Sequence, residues 1–178
     1  MMTDLKPIET SYAGCRFRSR IEARWAVFFD HLGIGWEYEP QGFDLPSGRY
    51  LPDFLLDFPA YPGEHFGPDP ARDGVWWEVK GAAPTQHELN LCWELLEATH
   101  RPVYIAHGAI PRDHVEETRI QHIGLTQVRW FIRANSIGWA PELPGYLAQG
   151  IGHPDLLDAY RAARSARFEH GETPEATR

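Results

Sequence analysis

Lysine is nearly absent from this chain, since Lys6 and Lys80 are the only lysines among its 17 basic residues. Cysteine is equally scarce, and the two present, Cys15 and Cys92, provide neither a disulfide framework nor the spacing of a zinc site. No apolar run approaches the roughly 20 residues that a membrane span requires, and residues 1–7 lack the apolar region of a signal peptide. These absences predict a protein of the reducing cytoplasm without a membrane anchor.

An excess of positive charge is also missing. The formal net charge is −8, and the acidic surplus is concentrated between residues 53 and 97. A protein that binds nucleic acid by charge alone carries a basic footprint. The composition therefore predicts weak, salt-sensitive binding to naked DNA, or a protein partner that delivers the DNA.

What is present suffices for one hydrophobic core, since the 178 residues include 7 tryptophans. Helical and strand patterns are interleaved along residues 1–150, which predicts one α/β domain. Residues 151–178 are expected to add a C-terminal helix, packed on or extending that domain, and a disordered tail. The Pro- and Gly-rich stretch 59–74 is expected to form a long irregular loop.

The segment Val75–Lys80 predicts a strand whose two faces differ. Because side chains alternate along a strand, Trp76, Glu78 and Lys80 share one face and three apolar residues share the other. Burying charge is costly unless the charge is paired or binds a metal. The pattern therefore indicates either a functional pair or a solvated pair on an edge strand.

Upstream, Phe43–Phe58 predicts a β-hairpin that turns at Pro46–Gly48. On the returning strand Pro52 removes one ladder donor, which favours a strand start or an edge. Asp53 would then leave the sheet near Glu78 if the two strands pair. The alternative is an ordinary turn aspartate after a proline.

Residues 19–32 predict an amphipathic helix that ends before Gly33. Glu22 lies at the edge of its apolar stripe, from which a side chain can reach over a sheet towards a site. The sequence Ser19-Arg-Ile-Glu22 also matches a capping box, in which Glu22 bonds back to the amide of Ser19. Both roles require an acid at this position.

Four arginines surround the start of this helix. A helix N-terminus with nearby arginines is suited to binding phosphate. The alternative is a solvated flank in which Arg18 pairs with Glu22. The candidate nucleic-acid-binding residues are Arg16, Arg18, Arg20 and Arg24.

Three features follow one another along the chain: the helix glutamate Glu22, the Pro-Asp pair ending at Asp53, and the Glu-Val-Lys run from Glu78 to Lys80. Their order resembles the motif of the PD-(D/E)XK nuclease superfamily. Within it, the chain looks most like small bacterial, phage or mobile-element nucleases with a glutamate on the first helix, similar in style to transposon end-cleaving subunits. The likeness spans residues 16–107. It implies a restriction-endonuclease-like fold, a mixed central sheet flanked by helices with the core order α-β-β-β-α-β.

The resemblance also implies the chemistry. Asp53, Glu78, the Val79 carbonyl and Glu22 would bind Mg²⁺, with Mn²⁺ as a substitute, because hard cations prefer oxygen ligands. Lys80 would orient or help deprotonate the attacking water. The implied activity is a DNA endonuclease that leaves 5′-phosphates. Cleavage of RNA is an alternative that the sequence leaves open. An inactive nuclease-like subunit that recruits partners is the alternative of a different class.

Overall fold

The computed structural model describes residues 10–57, 74–112, 120–122, 128–133, 136–141, 154–168 and 174–176. Within these ranges the chain is mixed α/β, which confirms the predicted class. Nearly all of the expected 59–74 loop and most of the expected disordered tail lie outside the described residues. The helices are α1 (Arg20–His31), α2 (Gln86–Thr99) and α3 (Pro154–Ser165). The strands are β1 (Thr10–Tyr12), β2 (Cys15–Phe17), β3 (Gly35–Tyr38), β4 (Phe43–Leu45), β5 (Gly48–Tyr50), β6 (Phe54–Asp57), β7 (Val75–Lys80), β8 (Val103–His107), β9 (Ile120–His122), β10 (Val128–Arg133) and β11 (Ser136–Pro141).

A five-stranded sheet forms the centre of the molecule, in the order β3-β6-β7-β8-β9. Strand β7 is the middle strand, antiparallel to β6 and parallel to β8. The connection from β7 through α2 to β8 is the strand–helix–strand crossover that parallel pairing requires. The pairs β1–β2, β4–β5 and β10–β11 form separate two-stranded antiparallel sheets.

The predicted hairpin over Phe43–Phe58 was wrong in its return strand. Strand β4 pairs with the short β5, and the chain then leaves that hairpin before β6 begins at Phe54. Strand β6 instead pairs with β3 on one side and β7 on the other. The interruption falls at Pro52 and Asp53, where the proline has no amide hydrogen to continue a ladder.

Helices α1 and α3 cover one face of the sheet. Trp25 and Phe29 of α1 pack against Trp77 of β7, with ring centroids 4.9 and 5.5 Å apart. Beside these two rings, Phe28 of α1 stacks on Tyr160 of α3 at 4.7 Å. This aromatic layer fixes the height of α1 above the sheet, and therefore the position of the residues at its N-terminus.

Helix α2 and the β4–β5 hairpin cover the opposite face. The sequence Thr85-Gln-His-Glu88 predicts a second capping box, and it is confirmed, because each residue's side chain bonds the backbone amide of the other. The sequence pattern places Leu89, Cys92, Trp93 and Leu96 on one apolar face of this helix, which is partly wrong, because Trp93 is 46% exposed. The residues that face the core are Leu91, Cys92 and Leu95. Among the helices of the described segments, none combines the length and apolar content that crossing a bilayer demands.

Candidate active site

Strands β6 and β7 separate at one end, and the candidate acids lie at that point. The pairing ends with Phe54 opposite Trp77, so a continued register would put Pro52 opposite Val79. Proline has no N–H to offer the Val79 carbonyl. The Asp53 carboxylate instead accepts the Val79 amide hydrogen, with Oδ2 2.7 Å from the nitrogen. Because the ladder breaks here, the side chain of Asp53 bonds the backbone of the central strand β7.

Glu78 lies beside Asp53 in this gap. Its Oε2 accepts the backbone N–H of Asp53 at 3.2 Å, and its Oε1 lies 2.7 Å from the Lys80 Nζ. Asp53 is 2% exposed and Glu78 is 3% exposed. A solvated pair on an edge strand is therefore excluded for Glu78 and Lys80, since β7 is central and the acid is buried.

The alternating faces predicted for β7 are also found. Val75, Trp77 and Val79 belong to the core beneath α1 and α3, whereas Trp76 packs on the α2 side. Because the N–H and C=O of one strand residue point to the same side, the carbonyl of Val79 faces the Asp53 side, as its amide does. A backbone oxygen thus accompanies the two carboxylates.

Glu22 is brought to the same region by α1, and it is 7% exposed. Its carboxylate accepts hydrogen bonds from the Ser19 hydroxyl at 2.6 Å, the Tyr38 hydroxyl at 2.6 Å and the Arg18 amide at 3.1 Å. The Ser19 hydroxyl also caps the helix by accepting the Glu22 amide. The prediction that Ser19 caps the helix is confirmed. The prediction that Glu22 bonds the Ser19 amide was wrong, because Glu22 accepts the Arg18 amide hydrogen instead.

The four arginines separate in space. The Arg18 guanidinium binds Asp53 at 2.7 Å and Glu39 at 2.6 Å, so the expected solvated pair of Arg18 with the Glu22 side chain is not what forms. Arg24 reaches the Ala166 carbonyl beyond α3 at 3.4 Å. Arg16 is exposed on β2, and Arg20 opens α1.

The surroundings of Asp53 oppose ionisation of its carboxyl group. Burial first, and then repulsion by Glu78 and Glu22, raise the pKa of Asp53 well above its usual range, against the lowering effects of the Val79 amide and Arg18. A buried carboxylate cluster of this kind gains from a bound cation. Perturbed carboxyl groups also concentrate at functional sites.

Lys80 is held as an ammonium. Burial works to lower the pKa of Lys80, but the charge and hydrogen bond of Glu78, with smaller contributions from Asp53 and Glu88, raise it above its ordinary value. Glu88 lies 3.4 Å from the Lys80 Nζ while it caps α2. In this state Lys80 donates hydrogen bonds and does not accept a proton.

Three residues of the site were not found from the sequence. Tyr38 bonds Glu22, Glu39 pairs with Arg18, and Glu88 adds a second carboxylate to Lys80. The capping-box signal identified Glu88 as a helix residue but gave no sign that it contacts Lys80. Tyr38 and Glu39 are brought to the site by the pairing of β3 with β6. This pairing joins segments that are distant in the sequence, so local patterns do not reveal it.

The donor set has the chemistry of a site for a hard divalent cation, with carboxylates from Asp53, Glu78 and Glu22 and the Val79 carbonyl. Across the described ranges, no three His, Cys, Asp or Glu side chains are already grouped as a metal centre. Arg18 and Lys80 occupy one oxygen of Asp53 and one of Glu78. A carboxylate oxygen has two lone pairs, so each acid retains capacity for a further ligand.

Comparisons with known proteins add no relative. No family model, no curated protein and no solved structure matches this chain.

Proposed function

We propose that this chain is a divalent-cation-dependent nuclease with a restriction-endonuclease-like fold, which hydrolyses phosphodiester bonds of DNA as an endonuclease and leaves 5′-phosphates. One observation carries the proposal: Asp53, Glu78 and Lys80 meet where β6 and β7 separate. The order α1-β3-β6-β7-α2-β8 supports it, because it gives α-β-β-β-α-β with the β4–β5 hairpin inserted.

Each residue has a distinct task in the proposed reaction. Asp53, Glu78, Glu22 and the Val79 carbonyl hold Mg²⁺, or Mn²⁺ in its place. When bound, the cation polarises the phosphoryl oxygen and lowers the pKa of water. Lys80, kept protonated by Glu78, donates hydrogen bonds to the water and the phosphate and offsets the negative charge that develops there.

The arginines at the start of α1 bind the phosphates of the strand, with Arg18 nearest to the acids. Because the net charge of the chain is −8, the grip on DNA is weak without a partner protein.

A second candidate, an inactive nuclease-like subunit that recruits partners, is favoured by a different observation. Arg18 and Lys80 already pair with Asp53 and Glu78, so the protein's own cations offset part of the buried negative charge. In that case the cluster is a structural ion network.

Incubation of the full chain with supercoiled plasmid at low salt, with and without Mg²⁺ or Mn²⁺, separates the two candidates. The nuclease nicks or linearises the plasmid only with the cation, and Asp53→Asn lowers the rate on the order of 100-fold. The control is Asp57→Asn, the same change at an exposed position of β6, which leaves the rate unchanged. A parallel reaction with RNA tests the other substrate. No cleavage of either polymer, or equal cleavage by Asp53→Asn, contradicts the nuclease function.

A further inference from the structure

The side chain of Arg18, a candidate phosphate-binding residue, reaches the proposed metal ligand Asp53. Its backbone amide is fixed by Glu22 and the Tyr38 hydroxyl, each at 3.1 Å. Its guanidinium extends to Asp53, with one terminal nitrogen 2.7 Å from Oδ1. The side chain is nevertheless 57% exposed. The backbone of Arg18 is thus held in place, while its side chain remains accessible to solvent.

The guanidinium has two carboxylate partners that differ in role. Nε lies 2.6 Å from Glu39, whereas the terminal nitrogen contacts Asp53. Glu39 is not among the proposed metal ligands, but its backbone amide donates to the Asp53 carbonyl at 2.8 Å, which keeps it next to the site. The guanidinium can therefore release Asp53 and remain anchored on Glu39, because different nitrogens make the two contacts.

A divalent cation and the guanidinium compete for the same carboxylate. Both are attracted by the uncompensated charge of Asp53, Glu78 and Glu22, and they repel one another at short range. The divalent cation carries twice the charge and binds oxygen directly. Its arrival near Asp53 therefore favours departure of the terminal nitrogen of Arg18 from that oxygen.

We propose that Arg18 is an exchangeable counter-ion. It pairs with Asp53 when no divalent cation is bound and, once a cation takes its place, turns its terminal nitrogens to a phosphate of the nucleic acid while Nε stays on Glu39. The proposal rests on the proposed function, since Asp53 must bind the cation. It makes cation binding and phosphate binding mutually dependent through one side chain.

The test measures cation affinity apart from catalysis. The melting temperature of the full chain is followed while Mn²⁺ or Mg²⁺ is titrated, which gives an apparent Kd because a ligand that binds the folded state stabilises it. Arg18→Met keeps the side-chain stem and the backbone amide bonds to Glu22 and Tyr38, so the local fold is retained. Arg49→Met is the control, since it removes the same charge from an exposed ion pair with Asp44.

Removal of the competing guanidinium tightens cation binding. The expected change in apparent Kd for Arg18→Met is about tenfold, which corresponds to about 1.4 kcal/mol, and the Kd of Arg49→Met matches that of the unaltered protein. At saturating cation, Arg18→Met also raises KM for DNA by about tenfold, because a phosphate contact is lost. One substitution thus improves binding of the cation and impairs binding of the substrate.

The outcomes separate the two levels of inference. If the unaltered protein binds the cation and Arg18→Met binds it no more tightly than Arg49→Met, the exchange is wrong and the nuclease function stands. If KM is unchanged while the cation binds more tightly, Arg18 does not receive the phosphate, and that also contradicts the proposal. If no variant responds to either cation, the metal site is wrong, and the proposed function fails together with the exchange.

Discussion

Asp53 shows how much depends on the environment of a single carboxyl group. Asp53 directly precedes β6, where the regular pairing with β7 begins. At the break in pairing it is buried, accepts the Val79 amide and faces two further acids. Its charge is thus costly to the fold and useful to a cation, a combination typical of functional sites.

The raised pKa of Asp53 predicts a pH-dependent stability effect of Asp53→Asn. A carboxyl whose folded-state pKa exceeds its ordinary 3.8 binds its proton more tightly when folded, so its contribution to stability is greatest below that value and is lost as pH rises through the folded-state pKa. The melting temperature of the variant minus that of the unaltered protein should therefore be more positive at pH about 7 than at pH about 4. Calorimetry without divalent cations measures it, and a pH-independent difference contradicts the prediction.

Lys80 gives a second prediction at this scale. Lys80→Met removes the ammonium that lies 2.7 Å from Glu78 while leaving the acids in place. Cleavage under single-turnover conditions should fall on the order of 100-fold, whereas Mn²⁺ should still raise the melting temperature. Lys6→Met, a change at the one other lysine of the chain, is the control. Loss of cation binding together with cleavage would show that Lys80 acts through the fold of the site.

At the scale of elements, the predictions that succeeded rest on local periodicity. The two-residue alternation of β7 correctly separated Glu78 and Lys80 from Val79, and the capping signals correctly located the starts of α1 and α2. These features depend on neighbours within one or two turns or along one strand. They are therefore readable from the sequence alone.

The predictions that failed concern pairings between distant segments. The β4–β5 hairpin looked continuous with β6 because both carry strand-forming residues, but β6 has its partners in β3 and β7. Helical periodicity predicts Trp93 on the apolar face of α2 with Cys92, yet its indole bonds Glu97 at the surface. Strand register and helix rotation are decided by tertiary packing, to which local propensity gives no access.

Gly74, which precedes β7, yields a prediction about how the central strand begins. Its φ is +96°, and a Cβ there would lie 2.8 Å from the Leu55 side chain and 3.2 Å from the Leu56 carbonyl. Gly74→Ala should therefore lower the free energy of unfolding by about 2 kcal/mol. Gly81→Ala, at the other end of the strand, meets no atom within 4 Å and should be nearly neutral. Urea denaturation compares the two, and equal effects contradict the prediction.

At the scale of the whole molecule, the negative net charge opposes the DNA binding that the proposed function requires. A net charge of −8 repels a polyanion such as DNA, whereas the proposed nuclease has to bind one. Phosphate contacts by a few arginines lose strength rapidly as salt rises. Under the proposed function, a partner protein would therefore have to supply most of the affinity for DNA.

The corresponding prediction concerns binding by the isolated chain. In mobility-shift experiments with the catalytically impaired Asp53→Asn variant, the affinity for duplex DNA should be in the micromolar range or weaker at about 0.15 M salt and should improve as salt is lowered. A variant with Arg18→Met added should bind still more weakly. Nanomolar binding at physiological salt would contradict the need for a partner.

The central position of β7 has a consequence for how this protein would lose the proposed activity. Amide hydrogens in the middle of a sheet exchange with solvent only in openings that approach complete denaturation. Glu78 and Lys80 belong to that strand, and Asp53 directly precedes its neighbour β6, so a minor excursion of a surface segment does not separate these three residues. Heat inactivation should coincide with cooperative melting of the chain, without an earlier phase in which the protein is folded but inert.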